Sequence, residues 1–175
     1  MSTLYVDNLQ PNLGSRVMAA GHVVQVVGAE LTSLGSVTGN AWQTIMSANI
    51  TPTSSSSKIV VVCNGNFGHN GGAGSLEGGV RTLSSETGAV SIGDADNNRT
   101  RCNQPFTFDK SHPWNSASLS WTVTDSPATT SQVTYSMQVY GSEGDTVYYN
   151  RTQNADNQPY VFRGSCTITL MEIAQ

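Results

Sequence analysis

A chain of 175 residues, 37% hydrophobic and 11% charged, is long enough to bury a core as one domain and too uncharged to stay unfolded by self-repulsion. Its net charge is −4, and its two Lys and six Arg are scattered. That excludes nucleic acid as a partner, because phosphate binding needs clustered cations.

The start, Met1 to Tyr5, lacks the basic residues and apolar run of a signal peptide, so the expected product is a soluble protein made in a cytoplasm. Membrane insertion is not expected either: the longest apolar runs, such as 59–63, are too short to cross a bilayer. Residues 3–7 read as a short strand, followed by a turn through Pro11, Asn12, Leu13 and Gly14. Residues 1–21 could bury little alone. They are expected to form an attachment segment whose apolar side chains are Leu4, Tyr5, Val6, Leu9 and Leu13, docking on the body, a neighbouring copy or another protein. Residues 22–175 then form a single domain.

In that domain 22–29 reads as a strand with Val on both faces, expected to be covered on both sides. Residues 28–39 are turn-rich. Over 41–51, Trp42, Thr44, Met46, Ala48 and Ile50 alternate with Gln43, Ile45, Ser47 and Asn49, the period-two pattern of a strand. Pro52 ends it, 53–57 is a Ser-rich connection, and 58–63 is an apolar central strand. Residues 64–74 read as a Gly/Asn-rich loop carrying Phe67 and His69. A hairpin is expected over 79–93, turning at 85–88, with a further strand in 99–108 and an irregular excursion at 109–115.

The clearest pattern comes next. Leu119, Trp121 and Val123, then Val133, Tyr135, Met137 and Val139, alternate with Ser, Thr and Gln. Pro127 sits between the two runs and cannot donate to a ladder, which predicts an antiparallel hairpin with one dry face needing a second sheet. Residues 146–150 and 164–173 complete the series, with Cys166, Ile168 and Leu170 on one face. The sum is an all-β chain of about eight to ten antiparallel strands, a two-sheet sandwich of jelly-roll type.

Signals for chemistry are thin. The chain has no nucleophile elbow, dinucleotide fingerprint or phosphate loop. Asp94-Ala95-Asp96-Asn97-Asn98 begins like a calcium loop, but Arg99 stands where the sharp turn wants Gly and Pro105 where a bidentate Glu belongs. His22 is expected packed on a strand, and His69 and His112 exposed in loops. Cys63, Cys102 and Cys166 have no metal-ligand spacing and read as free thiols, with Cys63 and Cys166 buried. The five Glu show no arrangement of a paired acid and base. No enzymatic activity, metal or cofactor is expected. The sequons at Asn49, Asn98 and Asn150 mean little without a secretory signal.

Several stretches resemble one family. Thr3-Leu4-Tyr5-Val6-Asp7-Asn8-Leu9-Gln10 is similar to the opening of many tailed-phage fibre and virion proteins. Ile50-Thr51-Pro52-Thr53-Ser54-Ser55-Ser56-Ser57-Lys58-Ile59 resembles an internal motif of the same family, seen especially in phages of marine bacteria and cyanobacteria. So do 125–131, 146–151 and 165–174, in the right order along nearly the whole chain. The resemblance implies a virion structural protein of tail-fibre type, a homotrimer that contacts other virion proteins. The chain departs from a long fibre in having no heptads, collagen-like triplets or shaft repeats.

Two roles follow. In one, the chain is an adhesive module whose loops touch a host-surface glycan or protein, with Asn66, His69, Asn70, Asp96, Asn97, His112, Trp114 and Tyr148 as candidate contacts. Trp114, after Pro113, stands out because an exposed Trp calls for a neighbour or a ligand. In the other, the chain is a structural decoration, head-fibre or collar protein held to the capsid or tail by its N-terminal strand.

Overall fold

The computed structural model describes residues 19–70, 72–154, 156–159 and 161–175. The expected strand at 3–7 and the attachment residues Leu4, Tyr5, Val6, Leu9 and Leu13 lie outside them.

Among the described residues eleven strands form two antiparallel sheets, somewhat more than the pattern suggested: β1 (Val23–Leu31), β2 (Gly35–Thr38), β3 (Gln43–Ile50), β4 (Lys58–His69), β5 (Ser75–Ser84), β6 (Gly88–Ala89), β7 (Gln104–Asp109), β8 (Ser116–Asp125), β9 (Val133–Gly141), β10 (Thr146–Tyr149) and β11 (Cys166–Ile173). The first sheet runs β1-β11-β4-β10-β2, with β8 also on β4; the second runs β3-β9-β5-β6, with β7 also on β5. This is a jelly-roll-like sandwich. Its core is the alternate residues of both inner faces, for example Ile59, Val61, Cys63 and Phe67 of β4 against Tyr135, Met137 and Val139 of β9.

The strongest alternation in the sequence does not fold as the expected hairpin. β8 and β9 do not form a hairpin: β8 lies on β4 in one sheet, and β9 lies between β3 and β5 in the other. Their dry faces line the same core from opposite layers, β8 reaching β5 through Trp121 and Thr82, so the linker with buried Pro127 crosses between layers. Alternation shows which side of a strand is dry, but two strands in opposite layers have the same alternation as two side by side in one sheet.

Four other expectations change. β1 is covered on one face only, because the sandwich has two layers and nothing among the described residues packs on the outer face of its sheet, where Val26 is 60% exposed. His22, expected packed, is exposed just ahead of that strand. The stretch 28–39, read as turn, holds the end of β1 and all of β2. β4 continues through the Gly/Asn-rich stretch to His69, so Phe67 and His69 are fully buried rather than in a loop. Glycine is tolerated there for a packing reason: a Cβ at Gly68 would meet the backbone of Arg151 and Thr152.

In β3 the alternation holds for Met46, Ala48 and Ile50, which are buried, but not for Thr44, which is exposed. The register with β9 shifts between Thr44 and Met46. This β-bulge changes the phase of the strand and turns Trp42 to the outer face, beside Tyr140.

Candidate functional site

Connections crossing between the sheets gather at the two ends of the sandwich. At one end, the end of β1's partner β11 and the start of β4 lie together (Ile173 opposite Lys58), and residues 19–22 join them through Gly21 N–H to Ala174 O (2.8 Å). Two buried carboxylates pin this end. Glu172 accepts from Gln25 Nε2 (2.6 Å), Thr53 N (2.8 Å), Thr53 Oγ1 (2.8 Å) and Ser57 Oγ (2.7 Å), so it fastens the 51–57 crossover to β11. Burial alone would raise its pKa; the hydrogen bonds from Gln25, Ser57 and Thr53 outweigh that and hold the carboxyl below its usual range. Asp125 accepts from Tyr135 Oη (2.8 Å), Ser126 N (2.8 Å) and Thr87 Oγ1 (2.9 Å), tying the 126–132 crossover to the β5–β6 turn.

At the opposite end, the connections after β4, β7 and β9 converge. Lys110 Nζ lies 3.1 Å from Asp145 Oδ2, and their side chains are only 15% and 13% exposed. Asn70 Nδ2 donates to Asp145 Oδ1 (3.2 Å), and Asn70 exchanges hydrogen bonds with Thr146 through its N–H (3.0 Å) and Oδ1 (3.1 Å). Gly72 N–H donates to Lys110 O (2.9 Å). One lysine, one aspartate and one asparagine thus hold three loops as a single surface. Sequence reading missed Lys110 and Asp145, since residues 35 apart give no local signal.

Outside this lock, Gly72, Lys110, Ser111, Pro113, Gln153, Asn154 and Asp156 line a shallow cleft of about 550 Å³. Arg151, with its guanidinium 4.5 Å from the Tyr148 ring centroid, donates to Thr152 O (2.9 Å) and Gln153 O (2.6 Å) and shapes one rim.

The candidate contact residues divide accordingly. His112 is exposed and Trp114 is 55% exposed on the 110–115 loop. Ser111 N (2.9 Å) and Oγ (2.7 Å) donate to Asp109, and these bonds, with His112 nearby, hold the Asp109 carboxyl below its usual range. Tyr148 is half-buried under Arg151, and Asn70 is part of the lock. Asn66 sits on β4, where its Nδ2 donates to Ser118 Oγ (3.3 Å). Asp96 and Asn97 are exposed in the 90–103 segment and do not join the loop surface; Asp96 pairs with Arg99 at 3.0 Å. His69 is corrected outright. It is fully buried, its ring is stacked 5.0 Å from Phe108, and its Nδ1 donates to Asn70 O (2.7 Å), so it supports the loop surface from beneath. Among the described residues no three His, Cys, Asp or Glu gather as a metal site.

No protein-family model matches the chain, and no curated protein matches it. Among solved structures it is similar to one titled structure of infectious bursal disease virus Gx strain, with a TM-score of 0.44 and 10% identity over 98% of this chain and 42% of that one. It is also similar to the crystal structure of the infectious bursal disease virus VP2 subviral particle, at a TM-score of 0.33 and 12% identity over 87% of this chain and 38% of that one. The chain spans less than half the length of these proteins, and likeness this distant carries nothing about what it does.

Proposed function

We propose that the chain is a virion structural module of tail-fibre type, non-catalytic, assembled as a homotrimer, attached through its N-terminal segment and presenting loops to a host surface. The family resemblance of the sequence motivates this reading, and the separation of the two ends supports it. Residues 19–22 are bonded to Ala174, just past the end of β11 that lies opposite the start of β4, whereas the surface built on Asn70, Lys110 and Asp145 lies beyond the end of β4. A strand of 12 residues separates them by about 35–40 Å. An attachment segment entering at one end therefore leaves the other free to face outward.

The loop surface has the composition of a contact surface. Trp114 and Tyr148 offer large rigid faces, and Asn, Ser and Gly offer adaptable hydrogen bonding. The lock beneath them lowers the entropy lost on binding, because the loops are already held.

Purified protein added to host cells decides the reading. Inhibition of phage adsorption is the expected outcome, with Trp114→Ala weakening it. Protein that coats particles lacking it, without competing for the host, would instead support the decoration or collar role.

A further inference from the structure

We propose that a trough on the outer face of the second sheet, above Gly79, is a subsite for one ring of a neutral saccharide; as the ligand class of a host-binding surface it rests on the adhesive reading.

The trough follows from register. Tyr140, Gly79 and Pro105 lie directly opposite one another on β9, β5 and β7. The middle residue has no side chain, so the rings on either side leave a gap with the sheet as its floor. Glu77 and Ser142 close one end: Ser142 N–H donates to Glu77 O (2.9 Å), and Ser142 Oγ lies 3.4 Å from Glu77 Oε2. Thr100 and Cys102 flank it, and the half-open space is about 230 Å³. A Cβ at residue 79 would lie 3.0 Å from Cys102 Cβ, 3.2 Å from its Sγ and 3.5 Å from Trp42 Cη2, so Cys102 and Trp42 close over this glycine and a larger residue would push them aside and deform the trough beside it.

The walls are preorganised. The Trp42 and Tyr140 rings are 5.4 Å apart and tilted by 45°, and the Arg81 guanidinium sits 4.3 Å from the Trp42 ring centroid while its Nε donates to Gln138 Oε1 (2.8 Å). Trp42, held by Arg81, backs the Tyr140 ring and so fixes the aromatic wall of the trough before a ligand arrives.

The chemistry favours a sugar. An aromatic face packs against the C–H face of a pyranose, while an exposed carboxylate beside two hydroxyl-bearing side chains can accept and exchange hydrogen bonds with ring hydroxyls. The lining contains a carboxylate and no Lys or Arg, which disfavours an acidic sugar or a phosphate. A peptide strand cannot add on the trough floor itself, because β5 is already paired with β7 and β9 on its two sides at this point. The space is smaller than an ordinary ligand pocket, so a single ring should bind with a Kd on the order of 1 mM. Several copies on one particle would convert that into useful avidity.

The test is a chemical-shift titration of the full chain with glucose, galactose, mannose and N-acetylglucosamine, with glucuronic acid as the acidic control. Binding of at least one neutral sugar should shift resonances of residues 77–81, 100–102 and 140–142. Tyr140→Ala and Glu77→Gln should each weaken it about tenfold or more. Glu77 is exposed, so its variant keeps the fold if the Tyr140 variant does not. Absence of any shift with the neutral sugars, shifts confined to the 110–115 loop, or equal binding of glucuronic acid would overturn the subsite. If wild-type and Tyr140→Ala proteins block adsorption equally, the subsite is wrong while the adhesive reading stands. If wild-type protein blocks nothing yet binds sugar in the trough, the adhesive reading fails and the subsite remains.

Discussion

Trp121 shows how one side chain can join two layers. Its ring is 7% exposed on β8, and its Nε1 donates across the core to Thr82 Oγ1 of β5 (3.0 Å), which also lies 3.7 Å from Cys63 Sγ. Trp121→Ala removes the ring and should cost about 3–5 kcal/mol in denaturant unfolding; a loss under about 1 kcal/mol would mean that the ring does not pack in the core. Thr82→Val keeps the volume but leaves a buried indole N–H without an acceptor, so about 1–3 kcal/mol is expected. The thiols follow from the same burial. Burial pushes Cys63 up to about 12, the hydrogen bond to Thr82 offsetting part of that and the nearby Cys166 adding to it. Burial also raises Cys166 and half-buried Cys102. Alkylation of the native protein should therefore modify Cys102 slowly and spare Cys63 and Cys166, with all three reacting after unfolding; mass spectrometry reads the outcome. The free, buried state of Cys63 and Cys166 agrees with the sequence reading.

At the scale of elements, buried polar groups hold the crossovers in place. Asn150, with φ of +61° and no exposure, donates to Leu31 O (2.7 Å) and Ser33 O (2.9 Å) and accepts from Cys166 Sγ (3.1 Å), so this sequon position serves the β1–β2 turn. Glu172 sets a pH dependence. Its folded pKa lies below the unfolded value of about 4.3, so its stabilisation is complete above that value and is lost as pH falls through the folded pKa. Thermal melts should drop in temperature below about pH 4.3, and Glu172→Gln should lower stability at pH 7 while flattening that acid dependence. At the other end, Asp145→Ala removes the partner of both Lys110 and Asn70. Amides of 70–74, 110–115 and 142–145 should then exchange faster together, while those of β4 and β8 stay protected. Independent loosening of one loop would show that the lock does not couple them.

For the whole molecule, the strand path separates an entry end from a loop end. On the proposed reading, deleting residues 2–17 should leave a folded protein with unchanged circular dichroism that no longer enters particles. Unfolding on deletion would place that segment in the core instead. Mass photometry of the full chain should report three copies, the count implied by family resemblance; a monomer at micromolar concentration would remove the trimer from the proposal.

The amino-acid order alone determined the fold class and the dry faces of β8, β9 and β11, because period-two alternation of apolar and hydroxyl residues is a local property of the chain. The irregular stretch around Pro113 likewise marked Trp114 as exposed. It could not show which strands pair, since β8 and β9 carry the same alternation whether they lie side by side or in opposite layers. A bulge in β3, invisible in composition, put Trp42 on the outer face. The Lys110–Asp145–Asn70 lock, the burial of His69 and the trough over Gly79 depend on residues far apart in sequence, and only the packing of two sheets brings them within hydrogen-bond or van der Waals reach.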